Sequence, residues 1–204
     1  MPTLDRFRQA ETDANRVRKL NLITDRITAA AQAGAASTVT GVTVDETASG
    51  AIRTVLTLKN VTVAMTDATT AGCHGSLKLY DFPACNLLYL GATADLTVST
   101  SGEGGIDDAA ELVAAVGTST VGVDNATLTS TEADLIASTA ATLTAGAGTA
   151  DGKSLTAGIA VFDGTGTAKD AWLNFAVPDS GSTADDTITV SGTITIVWAN
   201  LGDV

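Results

Sequence analysis

His74 is the chain's one histidine; Cys73 precedes it directly and Cys85 follows eleven residues later. Imidazole and thiolate are common zinc ligands, but a structural zinc wants four ligands, usually with a close pair such as C-x2–4-C. Adjacent residues on a strand point to opposite faces, so Cys73 and His74 are badly placed to share an ion. No metal site is expected. The same imidazole is the single candidate histidine base for a serine or threonine nucleophile, and a triad also needs a third group to orient that base. No catalytic residue is assigned.

Two glycine-containing segments resemble phosphate-binding loops and fall short. Asp151-Gly152-Lys153-Ser154 ends as a P-loop ends, but Ala147 stands where the first glycine must let the backbone wrap the phosphates. A flexible turn is expected there. Gly164-Thr165-Gly166-Thr167-Ala168-Lys169 opens like a dinucleotide fingerprint, with Lys169 in the third glycine position. A strand follows it, so no helix N-terminus is available for a pyrophosphate. A hairpin-type loop is expected. The acidic pairs Asp45-Glu46, Asp107-Asp108 and Asp185-Asp186 fall in expected turns and read as solvated. Glycoside hydrolysis needs two carboxylates across a cleft that grips sugar rings, and aromatic residues are only 4% of the chain. The acidic turns also lack the D-x-[DN]-x-[DN]-G pattern of a calcium loop. The expectation is no cofactor and no enzyme activity.

The elements that must carry these residues are strands. From Ser37 onward Thr alternates with Val, Leu or Ile, the pattern of a strand half buried against a second sheet. Strands are expected at Ile52–Leu58, continuing through Met65, and at Ser76–Tyr80, Leu87–Leu90, Asp95–Ser99, Ile159–Phe162, Ala171–Val177 and Thr187–Ala199. In the last, Ile188, Val190, Ile194, Ile196 and Trp198 share parity, and Gly192 is a candidate bend or bulge. Asp107–Val116 is expected as a short helix, with Ile106, Ala109, Leu112, Val113 and Val116 on one face. Thr129 and Glu132, three apart, resemble a helix-start box. The fold class is mainly β: a β-sandwich or jelly-roll-like domain with one or two short helices in its connections.

The N-terminus differs. Residues 1–26 hold six of the eleven basic residues against four acids, and the remainder holds five against nineteen. Leu4, Phe7, Ala10, Ala14, Val17, Leu20, Ile23, Ile27 and Ala30 recur in steps of three or four, and Gly34 is a plausible stop. The division expected is an arm over residues 1–36, helical or extended until bound, and a sandwich over 37–204. Arg6, Arg8, Arg16, Arg18 and Lys19 are the candidate contact residues, on the charge argument alone. A solvated helical face balanced by Glu11, Asp13 and Asp25 is the competing reading.

The net charge of −12 and pI near 4.2 point away from nucleic acid as the main partner. No run approaches the ~18–20 apolar residues that cross a bilayer, and no export signal is read at the start. Cytoplasmic synthesis is expected, with Cys73 and Cys85 as thiols rather than a bridge.

Several segments together resemble the head decoration, or cement, proteins of tailed bacteriophages. They are Gly75-Ser76-Leu77-Lys78-Leu79-Tyr80-Asp81-Phe82-Pro83, Leu90-Gly91-Ala92, Thr129–Ala141, Phe162–Phe175 and Gly192–Asp203. The resemblance covers roughly residues 50–204. It implies a β-sandwich or jelly-roll protein made in the host cytoplasm, bound in many copies outside the major capsid shell, with no cofactor and no activity. The partners implied are the major capsid protein and, as a dimer or trimer, copies of the chain itself. The competing function is an adhesion or receptor-binding module. That reading needs exposed rings, for which Tyr80, Phe82 and Tyr89 are the candidates. A hydrolase relying on His74 ranks last.

Overall fold

The alternation of Thr with branched apolar residues produces strands wherever it was expected, and few helical turns elsewhere. The computed structural model describes residues 34–36, 38–48, 50–68, 72–100, 104–122, 127–153 and 160–202. Among them are eleven strands: β1 Ala35–Ala36, β2 Val42–Ala48, β3 Ile52–Asp67, β4 Cys73–Asp81, β5 Asn86–Thr100, β6 Glu111–Gly117, β7 Ile136–Thr142, β8 Ala147–Lys153, β9 Ala160–Asp163, β10 Asp170–Val177 and β11 Asp186–Asn200. Two single 3-10 turns, Ser130–Glu132 and Asp179–Gly181, are the helical elements of the described residues.

All pairings are antiparallel, and the strands form one continuous sheet in the order β7-β6-β10-β4-β3-β11-β5-β8. β1 is added on β4, β2 on β3 and β9 on β5. The sheet curls into two facing halves because β3 serves both. Its residues 52–65 pair with β11, whereas Thr66 and Asp67 pair with His74 and Cys73 of β4. One half is β1-β4-β10-β6-β7; the other is β2-β3-β11-β5, with β8 and β9 side by side on the far edge of β5. This is the mainly β, sandwich-like architecture the alternation calls for.

One apolar core fills the space between the halves. Leu56, Leu79, Tyr89, Leu96, Leu112, Phe175, Ile188, Ile194 and Trp198 are fully buried in it. Each such side chain stabilises the fold by about 1.5–3 kcal/mol relative to exposure. A gap in the core among Ala94, Leu96, Ala114, Ile136 and Leu173 amounts to ≈ 10 Å³, room for one water at most.

Two bulges keep long strands facing inward. In β3 the buried set changes parity between Leu58 and Val61, and there Lys59 and Asn60 together face Ser191 of β11. Asn60 takes the left-handed conformation (φ 48°) that one bulge residue requires. Its N–H donates to Ser191 Oγ at 2.9 Å. Gly192 beside it has φ 136°, and a Cβ there would overlap the Asp95 carbonyl. The expected bulge at Gly192 is therefore present, although the extra residue lies across the ladder in β3. In β5 the extra residue is Leu90, so the segments expected as two strands are one.

Several expectations are corrected. Asp107–Val116 is not a helix: Asp107–Ala110 form a turn, closed by Ala110 N–H to the Asp107 carbonyl at 2.9 Å, and strand β6 follows. The apolar spacing imitated a helix because β6 is covered on both faces, with Leu112, Ala114 and Val116 inward and Ala115 and Val113 packed outside. A doubly covered strand loses alternation. The helix-start box shrinks to one turn, Ser130–Glu132, in which the Glu132 carboxylate accepts the Thr129 N–H at 3.2 Å. Asp45 and Glu46 lie in β2 rather than a solvated turn.

Candidate functional site

At the point where the described chain begins, β1 pairs Ala35 with Asp81 and Ala36 with Tyr80, so these two residues of the expected 1–36 arm belong to the sheet. The Gly34 N–H donates to the Tyr80 hydroxyl at 2.7 Å, and that hydroxyl donates to the Glu46 carboxylate. The same carboxylate accepts from Thr54 Oγ1 at 2.9 Å, and Thr54 Oγ1 in turn accepts from Trp198 Nε1 at 2.9 Å. Four strands thus meet in one polar relay. Tyr80, Thr54 and Trp198 are fully buried, where an unmade hydrogen bond is costly. Burial, followed by the Glu46 carboxylate, holds the Tyr80 phenol above its usual range, so it stays a donor. Gly34 has no room for a side chain: a Cβ would overlap the Tyr80 hydroxyl and the Asp81 carbonyl.

Rings close around this relay. Phe82 packs edge-on to Tyr80, with centroids 5.0 Å apart, and to Trp198 at 5.3 Å. Tyr89 meets Phe162 at 6.2 Å and donates its hydroxyl to the Leu135 carbonyl. Just outside, Lys78 pairs with Asp81 and, at 3.1 Å, with Asp170, and lies 5.9 Å over the Trp172 ring. Tyr80, Phe82 and Tyr89, the rings an adhesion surface would need, are thus buried in the core, which counts against that reading.

A second polar cluster lies on the outer face of the β4–β10–β6 half. Asn174 of β10 is fully buried. Its Nδ2 donates to the carbonyls of Ser119 (2.9 Å) and Glu132 (2.8 Å), and its Oδ1 accepts from Ser76 Oγ at 2.6 Å. Ser76 Oγ also accepts the Val121 N–H at 2.9 Å. The excursion between β6 and β7 is tied down here, with Leu128 packed on Ala115 and Ala176. Asp134 accepts from the Thr118 N–H and hydroxyl at 2.7 and 2.6 Å. Burial still raises its carboxyl above the ordinary range, against those bonds and the charge of Lys169.

The residues singled out for chemistry are dispersed. Cys73 and Cys85 are both buried thiols. Cys73 turns into the core and donates to the Ala184 carbonyl at 3.3 Å. Burial pushes its thiol up, with Asp67, Asp185 and Asp186 adding to the shift; a raised thiol is a poor nucleophile. His74 points the other way, its Nδ1 buried without a hydrogen-bond partner among the described residues. No group of three potential metal ligands gathers among the described residues. Asp151–Lys153 is not a turn but the end of β8, paired with Thr93–Asp95. Gly164–Lys169 is not a hairpin loop: β9 lies on β5 and β10 on β4 and β6, so it crosses between the halves. The Asp163 carboxylate caps it by accepting from Thr165, which holds the group below its usual range.

Arg6, Arg8, Arg16, Arg18 and Lys19 lie outside the described residues. Sequence reasoning missed both polar clusters. Asn174 carries a usable signal, since it is a strand-averse residue inside the apolar run Ala171–Val177. Glu46 carries none: its partners, Thr54 and Tyr80, are 8 and 34 residues away. No family model matches the sequence, and no curated protein matches it.

Proposed function

We propose that this chain is a virion structural protein of the decoration, or cement, kind, which binds the outside of a major capsid protein lattice and stabilises the head. The observation that carries the reading is the relay at Gly34. The start of the described chain is tied by Tyr80 and Glu46 into the β body, so the sheet holds firmly the residue that follows the N-terminal segment. Their basic character suits them to an attachment segment on an otherwise acidic molecule. Many identical weak contacts on a lattice add through multivalency. In this reading the protein is made in a host cytoplasm, ends on the head exterior, contacts capsid protein and its own copies, and performs no catalysis.

The test is co-sedimentation of the purified chain with expanded heads of the phage that encodes it, followed by heating. The expected result is saturable binding and heads that release their DNA at a higher temperature. Heads that bind none of it sink the proposal. Deleting residues 1–30 is expected to remove most of the binding; unchanged binding would leave the cement role and exclude the arm.

A further inference from the structure

We propose that β9 is a self-association edge: two copies of this chain pair β9 antiparallel about a two-fold axis at Val161 and bury the apolar patch beside it. Among the described residues, the large apolar side chains exposed to solvent are Leu90 (41%), Val161 (61%) and Leu201 (45%). They share one place. Val161 of β9 is in register with Leu88 of β5, and Leu88 with Ala199 of β11. Leu90 lies two residues beyond Leu88, on the same side of the strand. The Leu201 N–H donates to the Asn86 carbonyl at 2.8 Å, continuing the same ladder. The inward residues Leu87, Tyr89 and Trp198 are buried, so this patch belongs to the outer face.

The backbone of β9 is set up for an added strand. The Gly164 N–H donates to the Cys85 carbonyl at 3.0 Å. Antiparallel bonding alternates, so Phe162 and Ala160 bond to β5 and Val161 directs its N–H and C=O to the other edge. Among the described residues no strand pairs with that edge. Edge strands are normally blunted by charge. β2, the edge of the same half on its other side, carries Asp45 and Glu46 within it, whereas β9 carries one charge, Asp163, at its last residue.

Charge selects the occupant. With nineteen acids against five basic residues after position 26, most contacts between two copies would set acid against acid. Leu88, Leu90, Val161, Ala199 and Leu201 form a surface without charge, where a copy can approach. An axis at Val161 places Ala160 opposite Phe162 of the second copy and keeps the two Asp163 carboxylates about 13 Å apart along the ladder. This surface gives a place to the self-contact in the proposed function, and its test, made without heads, fails separately from head binding.

The experiment is sedimentation velocity of the full chain over a range of concentrations, with the variants Val161→Lys, Leu90→Lys and Val161→Pro. The native chain is expected to reach twice its 20.4 kDa mass. Val161→Lys and Leu90→Lys should each weaken the dimer by about tenfold or more, as loss of one buried apolar side chain implies. Val161→Pro keeps an apolar residue, removes the outward N–H and fixes φ at about −65°, so it should also weaken the dimer. A monomer at every concentration, a trimer, or an assembly that survives Val161→Lys overturns the proposal. A dimer sensitive to lysine but not to proline overturns the strand pairing.

Discussion

The two halves of the curled sheet share a core and differ on their outer faces. On β3–β11–β5 the outer face meets water with Thr57, Thr62, Thr93, Thr97 and Thr193 exposed. On β4–β10–β6 it is roofed by residues from the excursion between β6 and β7, and Ala115, Asn174 and Ala176 are buried. The backbone geometry is the same. What differs is the number of wetted faces, and that decides both the residue pattern and where stability resides. In the bare half, outward side chains are replaceable and the ladder must be held by register. In the roofed half, outward side chains hold the roof.

Four substitutions can break that contrast. Gly192→Ala has the largest expected effect: the residue has φ 136° and a Cβ would meet the Asp95 carbonyl, a combination costing on the order of 3 kcal/mol or more. A denaturation midpoint close to that of the native chain would show that the bare half does not depend on its bulge. Asn174→Ala follows at about 2–3 kcal/mol, because two carbonyls and Ser76 lose a buried partner. Limited proteolysis should then cut between β6 and β7 first. If Asn174→Ala costs no more than a threonine on the bare face, the roof is decoration and the contrast fails.

Asp134→Asn sharpens the comparison through pH. Burial raises the Asp134 carboxyl above its ordinary value of 3.8, so the native state binds more protons than the unfolded chain between that value and the raised one. Stability from this group is present at lower pH and is lost as pH rises through the raised value. The variant should show a flatter dependence than the native chain when urea midpoints are compared from about pH 3 to about pH 7; parallel curves would mean that the carboxyl is not held by the roof. Thr193→Val should change stability least, within about 0.5 kcal/mol. A larger loss would mean that the exposed threonines form a structural ladder after all.

Legibility followed the same division. Ile188 to Trp198 could be read residue by residue, parity and bulge included, because that strand has one wet face and one dry one. The segment Asp107–Val116 has the spacing of a helix because its outward Val113 and Ala115 are also covered, and apolar residues on both sides of a strand reproduce helical spacing. Leu87–Leu90 and Asp95–Ser99 look like separate strands because the bulge at Leu90 and Gly91 resets parity, which in sequence resembles an interruption. The polar clusters were hidden for a different reason: Glu46 is an ordinary acid until Tyr80 and Thr54 are brought to it.

Local chemistry alone determined that this chain makes strands, that its phosphate-loop and metal-site resemblances are incomplete, and that its basic residues gather at one end. Each follows from side-chain type and short-range spacing. Only the tertiary structure decided which face of each strand is dry, that Asp45 and Glu46 belong to a strand, and that Gly34 is a close contact with Tyr80. The same holds for Val161, an unremarkable strand residue in sequence and an uncovered one in the fold. Those facts depend on pairings between distant segments, which no local pattern encodes.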